Sequence, residues 1–143
     1  VKNAAEKIKS KDLKLSLNLS KNLPLVFCDR EKIMKVLGAV AGNAVTCTPS
    51  GGEIIIASGE KNICGKNCLV VSVADNGLGI REEERDDFFE KFFRGAEAKA
   101  VSPNGFGLSL YIAREFIRAH NGDIWFENNP EKGTTFYFTI PRD

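Results

Sequence analysis

Apolar residues recur along the chain at two different periods, and these periods predict the first elements. Leucines alternate with polar residues over 13–19, which is the pattern of a half-buried strand. Over residues 30–47 the apolar positions recur every three or four residues, so we expect a helix there with Asp29 as its N-cap. The β-branched runs 53–58 and 69–74 predict paired strands joined by a polar connection.

The second half of the chain is predicted to contribute two helices and two strands. A short helix is expected over about 82–92, and a longer one over about 107–120 that ends at Gly122. Strands are expected over 123–127 and 134–140. About five strands and three helices predict an α+β fold, in which helices cover one face of a mixed sheet.

Composition and length indicate one globular domain and exclude several classes of function. The chain has 143 residues, 43% hydrophobic and 27% charged, and its 20 basic and 19 acidic side chains give a net charge of +1. A nearly neutral chain without a basic cluster predicts no nucleic-acid partner and no membrane contact by this domain. We interpret residues 1–143 as a single domain, with 1–12 as the remnant of a preceding helical or linker region.

Four cysteines introduce the alternative of a metal or redox site. Cys64 and Cys68 flank a predicted hairpin turn, where a disulfide and half a metal site are both conceivable. Cys28 and Cys47 lie at the edges of another element, and no histidine is close in sequence to complete a zinc ligand set. We expect reduced structural thiols in a cytoplasmic protein and keep a cysteine-based module as a rival hypothesis.

The segment 75–80, Asp-Asn-Gly-Leu-Gly-Ile, places one carboxylate on a glycine-rich turn directly after a predicted inner strand. Gly77 and Gly79 allow positive φ, which lets the backbone approach a flat ligand closely. The carboxylate of Asp75 can accept a hydrogen bond from an exocyclic amine such as N6 of adenine. The alternative is an ordinary tight turn after a core strand.

Three residues inside the predicted helix 30–47 are unfavourable there. Asn43 competes for backbone hydrogen bonds, so it is either a metal or phosphate ligand or a cap on a buried backbone group. Gly38 and Gly42 each cost roughly 1 kcal/mol relative to alanine. Close backbone packing would explain the two glycines.

Two later segments are suited to phosphate. Arg94 follows the phenylalanine-rich run 88–93, part of which is expected to face the core, and opens the aperiodic segment 95–104, which we expect to be a mobile loop. Residues 105–108, Gly-Phe-Gly-Leu, precede a helix whose free N–H groups and positive dipole end favour an anion.

The order and spacing of these four features resemble the catalytic ATP-binding domain of sensor histidine kinases, in the gyrase, Hsp90, histidine kinase and MutL superfamily. The resemblance runs from about Leu13 to Pro141 and includes the tail 119–125 and the segment 132–136. It implies a two-layer α/β sandwich of the Bergerat type, with ATP and Mg²⁺ as cofactors. It also implies a cytoplasmic domain, whether or not the parent protein is anchored in a membrane.

The resemblance implies a role for each matching residue. Asn43 corresponds to the asparagine that holds Mg²⁺ beside the triphosphate, and with Arg94 it is the implied catalytic residue. Asp75 corresponds to the carboxylate that receives adenine N6. The other implied nucleotide-binding residues are Gly77, Gly79, Ile80, Phe92, Lys99, Gly105, Phe106, Gly107, Leu108 and Thr134.

Three departures from the family pattern lie around Asn43. Ala39 stands in place of a first asparagine, Thr46 in place of a phosphate-facing lysine, and Cys47 in place of an aromatic beside the nucleotide. A degenerate nucleotide-binding regulatory module is therefore a second hypothesis, and a serine-kinase-type member of the superfamily a third. Because Ala39 cannot act as a base, transfer to a partner is favoured over hydrolysis.

The resemblance also implies partners. A histidine on a separate dimerisation domain of the same protein would receive the γ-phosphoryl group, and a response regulator would act downstream. His120 is the single histidine of the chain and lies near a predicted helix end, so we expect it to be structural. The chain is therefore expected to bind ATP without phosphorylating itself.

Overall fold

The computed structural model of the chain describes residues 2–90 and 109–142. In chain order these residues form helix α1 (Lys2–Ser10), strand β1 (Lys14–Leu19), helix α2 (Arg30–Cys47), strands β2 (Glu53–Ile63) and β3 (Lys66–Asp75), a 3-10 helix (Glu82–Asp87), helix α3 (Ser109–Ala119), and strands β4 (Ile124–Asn128) and β5 (Thr134–Pro141). The five strands make one sheet in the order β1-β2-β3-β5-β4. Strand β1 runs parallel to β2, and every other pair is antiparallel, which confirms the predicted mixed sheet and α+β class.

The core lies between one face of this sheet and the helices. Val73, Phe136 and Phe126 are aligned across β3, β5 and β4, and all three are buried. Val40 of α2 and Ile117 of α3 belong to the same buried cluster. Burial at every third or fourth position of α2 therefore reproduces the period from which that helix was predicted.

The hairpin of β2 and β3 is longer than the sequence pattern predicted. Both strands continue through polar residues to a two-residue turn at Cys64 and Gly65. These residues have φ values of 51° and 82°, as a tight hairpin turn with positive φ at both positions requires. The backbone ladder does not need apolar side chains, so pairing extends beyond the apolar runs.

The predicted half-burial of β1 is wrong. All six residues of the strand are exposed, and Leu15, Leu17 and Leu19 keep 48%, 63% and 55% of their surface. The register aligns Leu15 with Ile54 and Leu17 with Ile56, which belong to the core. These leucines therefore point to the helix side of the sheet, but β1 is an edge strand beyond the part that α2 and α3 cover.

The helix ends agree with the predictions only in part. Asp29 caps α2 as predicted, since its Oδ1 accepts the N–H of Lys32 at 3.1 Å. At the end of α3, Asn121 rather than Gly122 takes the left-handed conformation, with φ of 59°. Gly122 is needed for space, because a Cβ there would collide with the carbonyl oxygen of Thr139.

The predicted helix over 82–92 is a 3-10 helix as far as it is described, over Glu82–Asp87. Residues 91 and 92 lie outside the described part of the chain. None of the described helices is long and apolar enough to cross a lipid bilayer.

His120 joins the end of α3 to the start of α2. The backbone N–H of Asp29 donates to its Nε2 at 3.0 Å, and its Nδ1 lies 2.7 Å from the carbonyl oxygen of Phe116. Because Nε2 accepts, the ring proton is on Nδ1 and is donated to Phe116. These contacts agree with the structural role expected for this residue.

Candidate functional site

The last residue of β3, Asp75, is a buried carboxylate with one oxygen fixed by the fold. Only 5% of its surface is exposed. Its Oδ1 accepts the backbone N–H of Gly77 at 2.9 Å and that of Thr134 at 3.3 Å. The described residues provide no hydrogen-bond donor for Oδ2, which is therefore the oxygen that a ligand can use.

Burial raises the pKa of Asp75 above its ordinary value of 3.8, and the two backbone N–H groups oppose that shift. The carboxyl group of Asp75 therefore stays protonated to a higher pH in the folded protein than in the unfolded chain. The ionised carboxylate is a cost to stability at neutral pH, which is typical of a group kept for binding rather than for folding.

This shift predicts a pH dependence. The contribution of Asp75 to the free energy of unfolding should be fully present below its ordinary pKa and should be lost as pH rises through the raised value. Urea denaturation of the native protein and Asp75→Asn between pH 4 and 7 measures it. The variant should gain stability relative to the native protein as pH rises, and a difference that does not change with pH would contradict the shift.

The two glycines after Asp75 are needed for different reasons. Gly79 has φ of 83°, as predicted. Gly77 does not adopt positive φ, so that part of the prediction is wrong. A Cβ on Gly77 would lie 2.6 Å from the carbonyl oxygen of Cys47. The residue must therefore be small for the loop of residues 76–80 (the Gly77 loop) to pack against the end of α2.

Two asparagines that were not predicted from the sequence hold the loop 76–80 in place. Asn128 accepts the N–H of Ile80 at 2.9 Å and donates to the carbonyl of Ile80 at 2.8 Å. Asn129 donates to the carbonyl of Asp75 at 3.0 Å. The sequence contained one indication of this role: the two asparagines precede a predicted strand that begins with two threonines. In the structure Thr134 donates to Asn128 and Thr135 donates to Asn129.

Asn43 lies on α2, one turn before the contact between that helix and the Gly77 loop. Its amide oxygen is 4.0 Å from the Sγ of Cys47, and within the described residues the amide makes no other hydrogen bond. A cap on a buried backbone group, one of the two explanations offered for this residue, is therefore not observed. The half-buried amide is available to a ligand.

Close backbone packing was the predicted reason for Gly38 and Gly42, and this prediction is wrong. Among residues 2–90 and 109–142, a Cβ at either position would meet no atom within 4 Å outside the helix's own backbone. Close backbone packing does not require these glycines, and the structure gives no other reason for them.

The remaining predicted site residues fall partly outside the described residues. Phe88 and Phe89 pack against Phe126 and Phe136 with ring centroids 5.4 to 6.1 Å apart, which confirms the core-facing stripe for these two. The residues not described are Phe92, Arg94, Lys99, Gly105, Phe106, Gly107 and Leu108.

The structure also bears on the cysteine hypothesis. All four cysteines lie in the described residues and none forms a disulfide bond: Cys28 and Cys64 are exposed, Cys47 is half-buried and Cys68 is buried. Residues 2–90 and 109–142 contain no group of three His, Cys, Asp or Glu side chains that could hold a metal ion.

Comparison with known protein families identifies the family to which the domain belongs. The family model described as histidine kinase-, DNA gyrase B- and HSP90-like ATPase matches residues 28–143. The chain belongs to this ATPase family. Membership implies ATP binding by the domain, and it confirms the superfamily that the sequence motifs indicated.

Relatives place the domain in the histidine kinase branch of the family. It is 34% identical over 135 residues to the adaptive-response sensory kinase SasA of Synechocystis sp. (strain ATCC 27184 / PCC 6803 / Kazusa), covering 94% of this chain and 34% of SasA. It is 36% identical over 125 residues to the sensor histidine kinase WalK of Bacillus subtilis (strain 168), covering 85% of this chain and 20% of WalK. The chain spans about a third of the length of SasA and about a fifth of WalK.

Solved structures agree with this placement. The nucleotide-free catalytic domain of histidine kinase ThkA has a TM-score of 0.78 and 32% identity, covering 96% of this chain and 86% of that one. ThkA in complex with the response regulator protein TrrA has a TM-score of 0.74 and 33% identity, covering 97% of this chain and 37% of that one. The domain is thus a histidine kinase catalytic domain of the ATPase family.

Proposed function

We propose that this ATPase-family domain binds Mg-ATP and passes the γ-phosphoryl group to a histidine on a separate dimerisation domain of the same protein. The observation that carries the proposal is the geometry of Asp75: a buried carboxylate with Oδ1 held by two backbone N–H groups and Oδ2 left to a ligand. The histidine kinase relatives support the choice of acceptor.

Adenine is the base that fits this carboxylate. The exocyclic N6 amine of adenine donates a hydrogen bond, and Oδ2 of Asp75 accepts it. Guanine presents a carbonyl oxygen at the corresponding position, which would face a carboxylate oxygen with no proton between them. A buried site that leaves a polar group unpaired discriminates strongly against the wrong base.

The residues around Asn43 fit a magnesium ion that ATP brings with it. Mg²⁺ prefers oxygen ligands and is usually held by one or two protein groups together with phosphates and water. The amide oxygen of Asn43 is such a group, and a cage of acidic side chains is not required. When bound, the ion neutralises charge on the phosphates.

The remaining roles are proposed from the resemblance. Arg94 acts with Asn43 in the transfer step by neutralising charge on the transferred phosphoryl group. Ala39 lies one turn before Asn43 and has no group that could activate water, so transfer is favoured over hydrolysis. The residues proposed to bind nucleotide outside the described part of the chain are Phe92, Lys99, Gly105, Phe106, Gly107 and Leu108.

The proposed partners follow from the same relatives. ThkA has been solved with a response regulator protein, and we infer that a response regulator acts downstream of this domain as well. ATP and a response regulator are both met in the cytoplasm, which is the location we propose for the domain.

Mixing the domain with its histidine-bearing domain and γ-labelled Mg-ATP tests this function. Acid-labile, base-stable label on the acceptor is the expected result, because a phosphohistidine is hydrolysed in acid. The domain without its acceptor is the control and should remain unlabelled. Acid-stable label would indicate the serine-kinase-type alternative, and tight ATP binding without any transfer would indicate the degenerate module.

The proposed role of Asn43 predicts a selective loss. Asn43→Ala should lose the increase in ATP affinity that Mg²⁺ gives, while the unfolding midpoint stays close to that of the native protein. Calorimetric titration with ATP, with and without Mg²⁺, measures this. Gly42→Ala is the control, since its Cβ would meet no neighbour among the described residues and should not disturb the site. Native magnesium dependence in the Asn43 variant would remove this residue from the site.

A further inference from the structure

Lys11, which follows α1, caps the C-terminal end of α2 with its side chain. Its Nζ donates to the carbonyl oxygens of Val45 at 2.8 Å, Thr46 at 3.2 Å and Thr48 at 2.7 Å. The last carbonyls of a helix have no partner within the helix and carry its negative dipole end. One ammonium group with three donors satisfies three of these acceptors at once.

The backbone around Lys11 is attached to the same place. The carbonyl of Lys11 accepts the N–H of Gly51 at 2.8 Å, from the turn that follows α2. The N–H of Leu13 returns to the carbonyl of Ile8 in α1 at 3.0 Å. Burial lowers the pKa of Lys11, so the ammonium is held in this place at a cost.

The end of α2 in turn contacts the loop that holds the adenine carboxylate. The carbonyl of Cys47 lies between two of the carbonyls that Lys11 binds, and a Cβ on Gly77 would be 2.6 Å from its oxygen. The N–H of Gly77 donates to Oδ1 of Asp75. One helix end therefore separates the ammonium of Lys11 from the loop that orients Asp75.

We propose that Lys11 is a positioning residue for the nucleotide site, which couples α1 to the adenine pocket through the end of α2. The inference rests on the proposed function, because it assumes that ATP binds at Asp75. When the Lys11 ammonium is removed, the last turn of α2 loses three hydrogen bonds. The Gly77 loop that packs against this turn is then held less firmly, so nucleotide affinity falls. Coupling is reciprocal, so bound nucleotide holds the segment 8–13 in place.

Two variants, Lys11→Met and Lys9→Met, test the predicted effect on nucleotide affinity. Lys11→Met removes the charge and all three hydrogen bonds but keeps the length of the side chain. Lys9→Met makes the same change at an exposed position of α1 and is the matched control. Calorimetry should show Mg-ATP binding about tenfold weaker for Lys11→Met, within the usual range of coupling between sites, and unchanged for Lys9→Met.

Hydrogen exchange provides the readout that a purely structural lysine would not move. ATP should slow amide exchange over residues 8–13 in the native protein and in Lys9→Met, but not in Lys11→Met. Native affinity in a folded Lys11→Met, or exchange over 8–13 that ATP does not change in the native protein, overturns the inference. If Lys11→Met does not fold, the exchange result in the native protein decides alone.

These outcomes are distinguishable from failure of the proposed function. A native protein that binds no ATP contradicts the function and the inference together. A native protein that binds ATP with Asp75-dependent affinity, while Lys11→Met binds it equally well, contradicts the inference alone.

Discussion

Asp75→Asn is expected to lose most of the affinity for ATP while the protein stays folded. The asparagine Oδ1 can still accept the N–H groups of Gly77 and Thr134, so the loop stays in place. Its amide nitrogen replaces Oδ2, and a donor then faces the N6 donor of adenine. Leaving such a pair unsatisfied costs about 3 kcal/mol, or about 100-fold in the dissociation constant measured by calorimetry.

The selectivity of this variant gives a second readout. The amide nitrogen of the asparagine can donate to the carbonyl oxygen of guanine, so the preference for ATP over GTP should decrease. Asp86→Asn, an exposed position in the 3-10 helix, is the control and should bind both nucleotides as the native protein does. Unchanged ATP affinity in Asp75→Asn would show that the carboxylate does not contact the base.

Gly133→Ala is expected to have the largest effect on stability. Gly133 has φ of 92°, where an alanine is strained, and its Cβ would collide with the carbonyl oxygen of Asp75. Strain and displacement of backbone together should lower the free energy of unfolding by about 3 kcal/mol. Urea denaturation measures this, and the folded fraction should also bind ATP more weakly, because the Asp75 end of β3 must move.

The matched control is the same substitution at a glycine with free space. Gly38→Ala lies inside α2, where a Cβ would meet nothing within 4 Å in the part of the chain that the structure describes, and alanine is the better helix former. It should raise the free energy of unfolding by about 0.5 to 1 kcal/mol. Equal stability of Gly133→Ala and the native protein would show that Gly133 does not lie against the end of β3 as the structure has it.

The elements that local chemistry determines were predicted well from the sequence. Helix α2 has the predicted bounds, because Asp29 supplies a cap and the apolar period runs through the helix without a break. Burial was harder to predict, because it depends on what covers a side chain. The alternating leucines of β1 have the pattern of a half-buried strand, yet they remain exposed at an edge that α2 and α3 do not reach.

The site residues also divide into those that local sequence predicts and those that depend on distant parts of the chain. Asp75 was predicted because a carboxylate, a strand end and two glycines are adjacent in sequence. Asn128, Asn129 and Lys11 were missed, because each acts on a backbone group far away in the chain. Gly77 was assigned the right position for the wrong reason, since the carbonyl of Cys47 that approaches it belongs to another element.

A crystal structure of the domain with a nonhydrolysable ATP analogue and Mg²⁺ tests the central claim most directly. The account predicts adenine N6 within hydrogen-bond distance of Oδ2 of Asp75, about 2.7 to 3.2 Å, with Oδ1 still held by Gly77 and Thr134. An analogue whose base lies away from Asp75, or whose N6 donates to a different residue, would contradict it.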